Sequence, residues 1–145
     1  MKFLLAACLI FSSTSAAAQA ADFLKLDRNG DGYISRVEAI ADPEIAKRFA
    51  YFDLNGDSRL SPSEFALARE DIAKRALADS AITARVKAAL LAERGIASSA
   101  IAVDTYEGRV QLSGYAPAPE LVSRAGRVTA AVYGVRTVHN GIAVR

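Results

Sequence analysis

Within the twelve residues Asp27–Glu38, side-chain oxygens stand at positions 1, 3, 5, 9 and 12, carried by Asp27, Asn29, Asp31, Ser35 and Glu38. Oxygens at that spacing wrap the chain around one point. They suit a hard cation taking about six to eight oxygens at roughly 2.3–2.6 Å, which is the demand of calcium. Asp27, Asn29 and Asp31 supply side-chain oxygens, Tyr33 at position 7 its backbone carbonyl, and Ser35 an oxygen directly or through water. Glu38 closes the loop with both carboxylate oxygens. Gly32 at position 6 allows a turn that a Cβ would resist, and Ile34 at position 8 is placed to bridge to a partner loop.

The partner loop is Asp53–Glu64, a repeat at a period of 26 residues. Its oxygens come from Asp53, Asn55, Asp57, the Arg59 carbonyl, Ser61 and Glu64, and Leu60 stands at position 8. One position departs from the first loop: Ser58 takes the place of Gly32. A non-glycine residue in the left-handed region costs roughly 1–2 kcal/mol, so the second loop is expected to be the weaker site. Ser35-x-x-Glu38 and Ser61-x-x-Glu64 are capping boxes, so each loop ends by starting a helix. Pro62 suits a first helical position. A single Asp/Asn/Gly cluster would be read as a turn. Two in tandem, each with Glu at position 12 and an apolar residue at position 8, point to metal. The stretch 22–75 resembles the EF-hand family, which implies a paired helix–loop–helix unit holding two calcium ions. The resemblance leaves open whether they are sensory, buffering or structural.

The elements that must hold these loops are helical. Phe23 and Leu26 serve a short entering helix; Ile45, Phe49 and Phe52 recur at i, i+4, i+7 on the helix entering loop two; Phe65 and Ile72 continue an apolar face beyond it. From residue 79 the pattern changes. A helix is expected over 81–94, with Ile82, Val86 and Leu90 as its stripe, Asp79 or Ser80 as its cap and Gly95 at its end. Residues 100–105 and 109–113 alternate as strands. A two-residue turn at Glu107-Gly108 sets Val103 opposite Leu112 and Thr105 opposite Val110. Pro119 opens a second helix with stripe Leu121, Ala125, Val128 and Val132, ended by Gly134. Val138, Ile142 and Val144 form a last strand, with a bulge read at Asn140-Gly141. The expected fold class is α+β: an all-α loop pair followed by a small αββαβ unit, a helix pair on a three-stranded sheet.

Three stretches carry a second resemblance: Asp79-Ser80-Ala81-Ile82-Thr83-Ala84-Arg85-Val86-Lys87-Ala88-Ala89-Leu90-Leu91, Gly108-Arg109-Val110-Gln111-Leu112-Ser113-Gly114, and Gly134-Val135-Arg136-Thr137-Val138 with Asn140. Residues 79–145 resemble a single BON domain, a family found in bacterial periplasmic osmotic-stress proteins, secretins and some channels. The resemblance implies an αββαβ fold, a bacterial envelope location and attachment to phospholipid or an envelope partner. Arg85, Lys87, Arg109, Arg124, Arg127 and Arg136 are the cations that would face anionic headgroups, each worth about 1 kcal/mol near such a surface. Tyr106 and Tyr115 sit near loop ends. A solvated charged face is the plainer reading of the same residues.

Charge divides as the pattern does. Residues 21–78 hold eleven acids against nine bases, and residues 79–145 five against eight. The apolar run from Phe3 to Phe11 behind Lys2, followed by small and polar residues to Ala18-Gln19-Ala20, has the order of a secretory signal peptide. The organisation expected is therefore a signal peptide over 1–20, the loop pair over 21–78 and the BON-like unit over 79–145, located in the periplasm or outside the cell. A membrane anchor is the alternative, but the run is short for a hydrocarbon core of roughly 30 Å. Cys8, the single cysteine, also completes a lipoprotein-type box with Leu5-Ala6-Ala7. Cleavage after Ala20 leaves a chain with no disulfide, stabilised by packing and metal. His139 is the lone histidine, no glycine-rich phosphate loop follows a strand, and the well-spaced acids are engaged in the loops. A non-catalytic protein is expected, with no nucleic-acid partner.

Overall fold

A computed structural model describes residues 11–145, so the apolar run from Phe3 and Cys8 lie outside the described residues. The chain forms two compact units that divide between Ile72 and Ala73.

In the first unit, helix α1 (Phe11–Leu26) leads into loop one, strand β1 (Ile34–Ser35) and a single helical turn α2 (Arg36–Ala39). Helix α3 (Pro43–Lys47) and turn α4 (Phe49–Phe52) lead into loop two, strand β2 (Arg59–Leu60) and helix α5 (Pro62–Ala92). The helix expected to enter loop two is thus broken. Arg48, at φ −118° and ψ 17°, ends α3 and precedes α4. The break does not disturb the stripe, because Ile45, Phe49 and Phe52 are all buried. Asp42 caps α3 by accepting from the amides of Glu44 and Ile45, and Pro43 follows at the position where a missing N–H is harmless. Strands β1 and β2 pair antiparallel with Ile34 opposite Leu60. Both are fully buried, in one core with Phe23, Leu26, Phe49, Phe52 and Phe65.

In the second unit the remainder of α5 precedes β3 (Ile101–Tyr106), β4 (Arg109–Ala116), helix α6 (Pro119–Ala130) and β5 (Thr137–Val144). The sheet order is β3-β4-β5, antiparallel between β3 and β4 and parallel between β4 and β5. The hairpin register is the one the alternation demands, with Val103 opposite Leu112 and Thr105 opposite Val110. Ile82, Val86 and Leu90 of α5 and Ala125 of α6 join these strands in a second core.

Three expectations for this unit are corrected. No helix starts at Asp79 or Ser80: α5 runs unbroken for 31 residues. Ser80 Oγ donates back to the Ala76 carbonyl at 2.9 Å, and the Asp79 carboxylate is taken by another element, so neither side chain caps. Residues 73–78 are alanine, lysine, arginine and leucine, all strong helix formers. On α6, Thr129 rather than Val128 takes the fully buried place beside Ala125. The side chain facing the sheet four residues after Ala125 is the threonine, whose methyl group can pack like valine's. Finally, β4 and β5 pair residue for residue from Arg109↔Thr137 to Ala116↔Val144, so no bulge interrupts Asn140-Gly141. Asn140 instead turns its side chain to α6, donating to the Val122 carbonyl at 2.8 Å.

Candidate metal centre

Each loop folds its first and twelfth carboxylates inward. In loop one, Asp27 Oδ1 accepts from the amides of Gly30 (2.8 Å) and Asp31 (3.2 Å), and Oδ2 from Gly32 (3.0 Å). Glu38 Oε1 accepts from the amides of Arg28 and Asn29 at 3.0 and 3.3 Å. Its Oε2 accepts from the Ser35 amide at 2.9 Å and the Ser35 hydroxyl at 2.7 Å. The Glu38 amide donates to Ser35 Oγ at 3.3 Å, completing the capping box read from the sequence. These donors, the Ser35 hydroxyl first, hold the Glu38 carboxyl down at about 2, against the opposing effect of burial. Between the two carboxylates, Asn29 Oδ1 accepts from the Asp31 amide at 2.9 Å, and Asn29 Nδ2 donates to Asp31 Oδ2 at 3.0 Å. The Tyr33 amide donates to Asp31 Oδ1 at 2.9 Å, so side chains at positions 3 and 5 sit on the same loop.

Loop two repeats much of this. The Ser61 amide and hydroxyl donate to Glu64 Oε2 at 2.8 and 2.7 Å, and the Leu54 amide to Oε1 at 2.9 Å. Those bonds, the Ser61 amide first, lower the Glu64 carboxyl. The Asp57 amide donates to Asn55 Oδ1, and the Arg59 amide to Asp57 Oδ1. At position 1 the loops part. Asp53 Oδ2 accepts from the Ser58 amide at 3.0 Å, while Asp53 Oδ1 is buried with no partner. A buried carboxylate oxygen without a donor is unfavourable, and it is the atom a cation in this loop would satisfy. The oxygen-only donor set, acidic at positions 1, 5 and 12, is the chemistry calcium selects. No three His, Cys, Asp or Glu side chains among the described residues are gathered closely enough to hold an ion by themselves. Each loop would need its asparagine, serine and carbonyl oxygens as well.

The loops touch through more than the Ile34–Leu60 bridge. The Arg59 guanidinium lies 5.4 Å from the Tyr33 ring centroid, joining the two seventh positions. Sequence reasoning missed Arg69, whose Nη1 is 2.9 Å from Asp42 Oδ2 and Nη2 3.6 Å from Asp22 Oδ2. Lying also 5.1 Å from the Phe65 ring centroid, it ties α1 and the α3 cap to α5. Only the cap signature Asp42-Pro43 could have hinted at that link, because the pairing spans elements far apart in the chain.

In the second unit the six cations named from sequence are all exposed. Arg85 lies 5.7 Å from the Tyr133 ring centroid and Arg109 6.0 Å from that of Tyr106. Arg109 also pairs with Glu107 at 3.0 Å. The Arg136 amide donates to the Gly108 carbonyl at 2.8 Å, which brings Arg136 to the β3–β4 turn beside Arg109. Tyr115, the other aromatic noted, stacks under Arg145 at 5.5 Å.

The described residues thus form a pair of bridged oxygen-rich loops followed in the chain by a small αββαβ unit. The family comparisons give both parts their names. The EF-hand model matches residues 20–38 and 45–67, and the BON-domain model matches residues 78–145. The chain is an EF-hand region followed by a BON domain. It is also similar to osmotically-inducible protein Y of Escherichia coli strain K12, being 37% identical to it over 75 residues. That match covers 52% of this chain and 37% of the relative, so the chain spans well under half of the relative's length.

Proposed function

We propose that this protein binds calcium in both EF-hand loops and serves the bacterial envelope, where its BON domain attaches to phospholipid or to an envelope partner. The ligands are Asp27, Asn29, Asp31, the Tyr33 carbonyl, Ser35 and Glu38 in one site. In the other they are Asp53, Asn55, Asp57, the Arg59 carbonyl, Ser61 and Glu64. The observation that carries this reading is the inward folding of both position-1 and position-12 carboxylates, with Asp53 Oδ1 buried and lacking a donor. Bound calcium would supply the positive charge these oxygens lack. The chain's own part is to hold the oxygens in place through Ser35, Ser61 and the loop amides.

The location is the periplasm or the exterior, reached by cleavage after Ala20. Support comes from the first unit's core, whose described residues lie beyond that point. Ala20 and Ala21 are exposed, whereas Phe23 and Leu26 are core residues and Asp22 pairs with Arg69. Among the described residues no helix is long and apolar enough to cross a membrane. In an extracellular setting, EF-hand modules bind at about 10⁻⁴–10⁻³ M, a range in which occupancy follows the surroundings.

A second reading, in which calcium is purely structural and the protein is an osmotic-stress or envelope-integrity factor, draws on the second unit's separate core. Such a core needs no metal to form. Calorimetric titration of residues 21–145 tests the main reading, run alongside liposome co-sedimentation with and without chelator. Two calcium ions per chain and chelator-sensitive attachment to anionic vesicles are expected. Absence of calcium uptake overturns it, and calcium uptake with chelator-insensitive attachment favours the structural role.

A further inference from the structure

The sheet of the second unit has an unguarded edge. Its strand order is β3-β4-β5, so among the described residues no strand pairs with the outer side of β3 or of β5. An edge strand offers a row of amides and carbonyls to any extended chain, and proteins commonly blunt it with charge, proline, a bulge or brevity. β3 is the shorter edge, at six residues, and carries the exposed Asp104 in mid-strand. β5 has none of these devices. Its eight residues, Thr137–Val144, include no acid, lysine, arginine or proline, and six of them are exposed. It pairs with β4 residue for residue, without a bulge.

One bond sets the direction of its amides. Arg145 N donates to the Ala116 carbonyl at 3.0 Å. Peptide groups alternate in direction along a strand as the side chains do. The amides of His139, Gly141 and Ala143 therefore face β4, and those of Val138, Asn140, Ile142 and Val144 face outward. Of these four, the Ile142 amide is met within the strand by Asn140 Oδ1, at a long 3.3 Å. The side chains at the edge are also suited to a neighbour. On the helix-covered face Ile142 is buried and Val138 packs against the same core, while Val144 is left 55% exposed. An apolar side chain from an added strand would cover it.

Charge narrows the choice of neighbour. Arg136 and Arg145 bracket β5, and both are exposed. A second copy added antiparallel would bring the arginine at each end toward the arginine at the other, and like charges across a strand pair are unfavourable. A segment with a carboxylate near each end would meet both arginines.

We propose that the outer edge of β5 is a strand-addition site for an extended segment of another protein, apolar at alternate positions and acidic near each end. Backbone bonds to the outward amides and carbonyls hold the segment, and the two arginines select its ends. This gives the envelope partner of the reading above a docking edge, and it requires neither calcium nor lipid.

The test is amide exchange followed by NMR in the full-length chain, free of calcium and lipid. The probe is a synthetic peptide of alternating valine and threonine with aspartate at each end. With the peptide at about ten times its Kd, exchange at the Val138 and Val144 amides should slow about tenfold, while the Ala143 amide, which faces β4, stays unchanged. The same peptide with lysine in place of aspartate should bind more weakly, by a margin that shrinks as salt rises. Arg136→Glu combined with Arg145→Glu should reverse that preference. Val144→Pro removes an outward amide at a place where an edge strand tolerates proline, and it should weaken peptide protection at Val138. Val144→Lys keeps the amide and adds an edge charge, and it should weaken protection as well. No protection at any peptide concentration, equal protection by both peptides, or undiminished protection in both Val144 variants overturns the proposal. So does protection without peptide that grows with protein concentration, which would place a second copy on the edge. With no lipid or calcium present, such a failure removes the edge site alone and leaves calcium binding and lipid attachment to their own titration and sedimentation.

Discussion

Loops one and two carry nearly the same residues, yet they settle differently. In loop one, Asp27 accepts three amides with both oxygens, and Glu38 accepts from four donors. In loop two, Asp53 accepts a single amide and buries an oxygen with no partner. Position 6 differs in parallel: Gly32 adopts φ +81° at no steric expense, and Ser58 is forced to φ +63°. A matching ligand set therefore does not make matching sites. Loop one holds its carboxylates before any ion arrives, and such preorganisation favours affinity. Loop two is strained and incompletely satisfied, so it should bind more weakly and change more on binding. It is also the loop that opens onto α5.

The largest effect expected is calcium-dependent stability of the first unit. At a calcium concentration about 100-fold over Kd, one site adds about 2.7 kcal/mol. For a unit this small that raises the unfolding temperature by roughly 10–20 °C. Calorimetric scans of residues 21–145 should show that rise in the first unit, with a second transition little changed under chelator. Glu38→Gln and Glu64→Gln should each remove one site, and the loss from Glu38→Gln should be larger if loop one is the tighter.

The next comparison is with acid. Glu38 sits at about 2 in the folded chain, below its ordinary value of 4.5. Its contribution is complete above the ordinary value and is lost as pH falls from there toward about 2. Glu64 is lowered as well, so it acts in the same direction. Thermal scans of the metal-free protein at decreasing pH should show stability falling across that window. Glu38→Gln should flatten the fall.

A smaller effect belongs to position 6. Ser58→Gly should stabilise the first unit by about 1 kcal/mol and strengthen loop two, and Gly32→Ser should do the reverse in loop one. Denaturant unfolding and calorimetry measure both. A Ser58→Gly variant with an unchanged or weakened second site would remove strain as the cause of the asymmetry. Smallest is Arg59→Ala, which removes the stacking on Tyr33 between the loops. At an exposed site this is worth roughly 0.5–1 kcal/mol, and it should lessen any cooperativity between the sites in the titration.

Much of this was legible in the sequence. Turn residues and alternation specify the β3–β4 register, because a two-residue turn leaves one pairing that keeps Val103, Val110 and Leu112 on a single face. The capping boxes and the Ile34–Leu60 bridge followed from spacing. What spacing could not show was where a polar side chain finds its partner. Asp79 reads as a helix cap, an equally good local use, and the competing turn amides lie 28 and 29 residues away. Arg69 is invisible for the same reason. The apolar pattern favours Val128 over Thr129 because it ranks side chains by hydrophobicity, while burial follows the direction of the Cβ. The break at Arg48 leaves Ile45, Phe49 and Phe52 in the core, so nothing in the apolar period could signal it.

The unequal loops can be examined directly in one experiment. The Gly32 amide donates to Asp27 and the Ser58 amide to Asp53, each at 3.0 Å, so each reports on its own loop. In an NMR calcium titration of residues 21–145, the Gly32 signal should reach its bound position at lower calcium than the Ser58 signal. If Ser58 saturates first, or the two move together, the loops are not ordered as their hydrogen bonding and backbone strain require.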